Sequence, residues 1–101
     1  MNLTPEEIRR HGAEELENLK IRVLAWRDGY FRLAPRGDQG YLFLCNDFAA
    51  EIEEYVYPYI NRMVISEHID PGQAAEILDF CYQQVRDLEA YLTDVEEPST
   101  S

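Results

Sequence analysis

Ile69-Asp70-Pro71-Gly72-Gln73 is the stretch whose reading decides the fold. Asp70 suits a helix N-cap, Pro71 the first helical position with its preset φ, and Gln73 completes a capping box. A helix therefore starts here. Downstream, Ala74, Leu78, Cys81, Val85, Leu88 and Leu92 recur at spacings of four and three, one face of a 3.6-residue helix. Upstream, Leu42, Cys45, Ala49, Ile52, Val56, Tyr59 and Met63 make a similar stripe, while Asp47, Glu51, Glu54 and Arg62 fall off it. So short a connection makes the two helices antiparallel neighbours.

Further out, Thr4 and Glu7 form a second capping signature around Pro5, with Leu3 placed to staple against Ile8. A first helix follows, striped by Ile8, Gly12, Leu16, Leu19, Val23 and Trp26, and Gly29 is the expected terminator. Tyr30 to Gly40 then reads as a long loop. The fold expected is all-α, an antiparallel three-helix bundle whose central helix is kinked at Pro58, because proline removes the bond to the carbonyl of Glu54. A competing α+β reading makes Asp28-Gly29 a hairpin turn and places a three-strand meander at about 20–45. Strong helix formers from Ala13 to Arg27 favour the helical reading. Residues 1–93 are read as one domain and 94–101 as a frayed tail.

Nine basic and twenty acidic side chains give a formal charge of −11, unevenly spread. Residues 1–36 carry seven basic and six acidic side chains, whereas 37–101 carry two and fourteen. Such an acidic surface disfavours nucleic acid, which is held by neutralising phosphates with lysine and arginine. It suits a basic protein partner steered in by the field, although solvation alone also calls for charge. No apolar run approaches the ~20 residues that span a bilayer, and the opening residues resemble no signal peptide, so a cytoplasmic protein is expected. Cys45 and Cys81 fall about twelve residues out of register across the hairpin, ~18 Å along a helix, so reduced, buried thiols are expected.

Two surfaces stand out as candidate sites. The first is Glu51, Glu54, Tyr55, Tyr57, Tyr59 and Glu67, because tyrosines so closely spaced cannot all face one core and suit protein contacts. In composition it resembles the tyrosine-proline and carboxylate patch of nuclease-colicin immunity proteins, over a handful of residues and without shared spacing. The second is Arg22, Trp26, Arg27, Tyr30 and Arg32, an arginine-aromatic mixture typical of interface hot spots. His11 and His68 lie on different elements, and neither metal-ligand spacing nor a phosphate-cradling loop occurs, so no metal, cofactor or catalytic residue is expected. The expectation is a non-enzymatic binding module acting on a basic protein, such as an inhibitor, immunity-like protein or adaptor. The alternative is a homodimer or small subunit of an assembly, in which the basic-aromatic segment of one chain docks on the acidic hairpin of another.

Overall fold

A computed structural model describes residues 3–94. Among them the chain is helical without strands: α1 (Pro5–Leu33), a 3-10 turn (Gln39–Tyr41), α2 (Phe43–Glu51), a π turn (Ile52–Val56), α3 (Tyr57–Ile65) and α4 (Pro71–Leu92). The segments α2, π turn and α3 follow one another without a break, a central rod between α1 and α4. The architecture is an up-down-up three-helix bundle, and the meander at 20–45 is replaced by helix. Of the tail read at 94–101, only Asp94 lies within the described residues, where it pairs with Arg36.

Both helix starts follow from their caps. Thr4 accepts from the Glu7 N–H at 3.2 Å. At α4 the capping box is complete: Asp70 Oδ1 accepts from Gln73 N–H at 2.7 Å, and Gln73 Oε1 accepts from Asp70 N–H at 2.9 Å. Between α3 and α4 the chain closes a Schellman motif, in which His68 N–H donates to Met63 and Glu67 N–H to Val64, at 2.9 and 3.0 Å. Glu67 occupies its left-handed position, with φ 63°. This turn is seated on α1 at Gly12, where a Cβ would overlap the carbonyl oxygen of His68 and stand 2.7 Å from its carbonyl carbon.

Gly29 does not end α1. The helix continues to Leu33 because Tyr30 is buried, stacked 5.0 Å from Phe48, and Phe31 stacks 4.7 Å from Tyr91. Burying Tyr30 and part of Phe31 outweighs the ~1 kcal/mol that an internal glycine costs. The expected eleven-residue loop shrinks accordingly. What remains is tied to α4 by Gly37 N–H to Tyr91 O (2.9 Å) and by Tyr91 Oη to Ala34 O (3.1 Å).

The rod departs from the expected stripe in its first half. Leu44 and Phe48 are buried, while Leu42, Cys45 and Ala49 are only half-buried. The buried set Leu44, Phe48, Ile52, Val56 and Ile60 advances by fours alone. At about 100° per residue each step overshoots a turn by ~40°, so an unbroken α-helix would carry Ile60 ~160° away from Leu44. The π turn takes up one extra residue and brings the stripe back. Its widened bond runs from Tyr57 N–H to Ile52 O, and Pro58, which has no N–H to donate, comes directly after it. The irregularity expected at Pro58 is thus the wide turn preceding it. Cys45 and Cys81 are both free thiols, and burial pushes Cys81 up to about 11.

Candidate functional site

The π turn decides which residues of the rod face outward. Ile52 and Val56 are fully buried at its two ends, and Glu53, Glu54 and Tyr55 between them are exposed. Tyr57 and Pro58 continue the exposed ridge, with Tyr55 64% and Tyr57 52% accessible. Two large aromatic side chains beside two carboxylates thus meet solvent within five positions.

The rod presents this ridge to two different neighbours. On the α1 side, Tyr30 donates to Glu51 at 2.5 Å and Tyr59 donates to Glu15 at 2.5 Å. Burial first, then the bonded carboxylate, holds both phenols above their ordinary pKa. Arg22 and Arg62 lie near enough to Tyr59 to oppose that shift. Trp26, Gly29, Tyr30, Leu33 and Glu51 line an open groove of about 300 Å3 along the same seam. On the α4 side, Tyr82 is raised by burial and then by Glu53, with Tyr57 also acting on it. Cys45 is raised by burial and by Glu89. The α4 side of the ridge therefore brings Glu53 and Tyr57 to Tyr82, while Glu89 faces Cys45 nearer the start of α2.

The first predicted surface is divided by this arrangement. Glu51 and Tyr59 are half-buried at the α1 seam, where each makes an internal hydrogen bond. Glu54, Tyr55 and Tyr57 remain exposed, and Glu67 stands apart at the α3–α4 turn. The second surface is divided too. Tyr30 is buried, and Arg27 turns toward α4, where its guanidinium donates to Gln84 Oε1 at 2.9 Å and lies 5.5 Å from the Phe31 ring centroid. Arg22 and Arg32 are exposed, and Trp26 is half-buried in the groove.

Glu53, Tyr82 and Glu89 were not picked out by the sequence as a group. Glu53 meets Tyr82, and Glu89 meets Cys45, through tertiary packing between the rod and α4. His11 and His68, which the sequence places on separate elements, converge with Glu15, Tyr59, Arg62 and Ser66 on a cleft of about 300 Å3. Ser66 Oγ lies 2.6 Å from His68 Nδ1 there. Among the described residues no group of three or more His, Cys, Asp or Glu is arranged to hold a metal, and no helix is long and apolar enough to cross a membrane. No protein-family model matches the chain, and comparison with curated proteins and with solved structures returns no match.

Proposed function

We propose that this chain is a small, acidic, non-enzymatic binding module that holds a basic protein segment against the ridge of the π turn. The observation that carries the reading is the exposure of Tyr57 on the same ridge as the exposed Glu53 and Glu54, with no basic residue between Asp38 and Val56. Tyrosine offers large contact area at low entropic cost, and the surrounding charge speeds encounter with a cationic partner.

A photo-crosslinking side chain at position 57, with a control at position 10, tests this in native lysate. A cationic protein should be captured at position 57 alone. Capture should fall about tenfold or more on raising salt from 50 to about 500 mM. It should vanish in the Glu53→Gln/Glu54→Gln variant, whose substitutions lie on exposed positions. Equal capture at both positions, or capture indifferent to salt and to the neutralised carboxylates, overturns the reading.

A further inference from the structure

The α1 side of the rod carries a second pattern, which shares Glu54 with the partner reading and otherwise uses the opposite flank of the ridge. Between residues 20 and 36 the only acidic side chain is Asp28, and of the five cations there Lys20 and Arg27 turn toward α4 and Arg36 pairs with Asp94, which leaves Arg22 and Arg32 without an ion pair among the described residues. Beside α1 runs the part of the rod containing Asp47, Glu51 and Glu54, with no cation between Phe43 and Val56. Their levels along the molecule are fixed by the Tyr30–Glu51 bond and by the approach of Arg22 to Tyr59. Yet the ion pairs among the described residues are Lys20–Glu17, Arg27–Asp28, Arg36–Asp94 and Arg86–Asp79. None of them joins α1 to the rod. Arg22, Arg32, Asp47 and Glu54 are all exposed.

Apolar surface lies along the same seam, where Leu33, 61% accessible, borders the groove with half-buried Trp26. A basic partner laid on this face meets Arg22 and Arg32, and an acidic one meets Asp47 and Glu54. The partner that satisfies both carries the same two strips in swapped positions. A second copy of this chain, turned about a two-fold axis parallel to the helices and lying along the seam, has that property.

We propose that this face is the interface of a symmetric dimer, in which α1 of each copy lies over the acidic part of the rod of the other. Arg32 then meets the level of Asp47 and Glu51, and Arg22 the level of Tyr59, about a turn from Tyr55 and within a long side chain's reach of Glu54, twice by symmetry. A stable dimer needs roughly 800 Å2 on each partner. A face bounded by extents of 64 and 27 Å accommodates that area.

Sedimentation of the full chain at micromolar concentration, at about 50 and about 500 mM salt, gives the first readout. A dimer at low salt that weakens at high salt is expected, and a monomer throughout overturns the proposal. Charge reversal gives the second. Arg22→Glu/Arg32→Glu and Asp47→Arg/Glu54→Arg should each lose dimer affinity by about 100-fold or more, since like charges then face each other. Mixed one to one, the two variants should form a heterodimer, because both contacts regain opposite signs. Circular dichroism confirms that each variant is folded. Variants that dimerise alone, or a mixture that stays monomeric, overturn the two-fold arrangement.

Discussion

Gly12→Ala is expected to lower the stability of the fold by about 3 kcal/mol, at the upper end of the usual cost of overpacking. Alanine is the better helix former by ~1 kcal/mol, so propensity alone predicts a gain. The opposite sign follows from the α3–α4 turn, whose His68 carbonyl occupies the space a Cβ needs. A carbonyl in a Schellman turn cannot swing aside as a flexible side chain does. For a domain of this size the loss corresponds to a fall in Tm of roughly 12–24 °C. Gly29→Ala is the control in the same helix. A Cβ there meets nothing within 4 Å, so the substitution should raise stability by up to ~1 kcal/mol. Thermal melts of the two variants should therefore move in opposite directions. A Gly12→Ala protein as stable as the parent would mean that the turn does not rest on α1.

Removing one residue from the π turn should abolish partner capture while leaving the bundle folded. Deletion of Tyr55 brings Ile52 and Val56 three positions apart, so the buried stripe then runs by fours and threes, as a plain α-helix requires. The Tyr30–Glu51 and Tyr59–Glu15 bonds lie on either side of the deletion and keep their facing. Pro58 would then stand inside a regular helix, at a cost of about 3 kcal/mol, so the deletion is made together with Pro58→Ala. Stability within about 1 kcal/mol of Pro58→Ala alone is expected. Crosslinking through the residue equivalent to Tyr57 should disappear, because the exposed ridge has been flattened. Loss of folding would show that the wide turn is built into the core packing. Undiminished capture would place the partner elsewhere.

The parts of this architecture that can be read in the sequence are those written in neighbouring residues. Thr4-Pro5 and Asp70-Pro71 start helices where their local chemistry says they should, since a cap involves only the next three positions. The end of α1 is not written locally. Asp28-Gly29 looks like a stop, and the reason it is overridden lies in Phe48 and Tyr91, far along the chain. The phase of the rod was hidden for another reason: a stripe drawn at a constant 3.6-residue period cannot detect an inserted residue. That period placed Cys45 and Ala49 on the core side in place of Leu44 and Phe48. At the candidate site, the exposure of Tyr55 and Tyr57 follows from crowding three tyrosines into five positions. The internal use of Glu51 and Tyr59 does not follow, because Tyr30 and Glu15, their partners, are 21 and 44 residues away.

The hydroxyl-to-carboxylate ties between α1 and the rod also set how the molecule should respond to alkali. A phenol whose folded pKa is raised gives up its proton less readily folded than unfolded. Its stabilising contribution is therefore complete below the unfolded value and is lost as pH rises through the folded one. Tyr30, Tyr59 and Tyr82 are all raised from an ordinary 10.0, and Cys81 from 9.0 to about 11, by burial before any other cause. Melting temperature should thus begin to fall as pH passes about 9, where Cys81 starts to contribute, and drop more steeply above 10 as the phenols of an unfolded chain ionise. Tyr30→Phe removes the largest of these ionisations together with the bond to Glu51. Its melting curve should lie below that of the parent near neutrality and approach it in strong alkali. Hydroxide is thereby the reagent that loosens α1 from the rod.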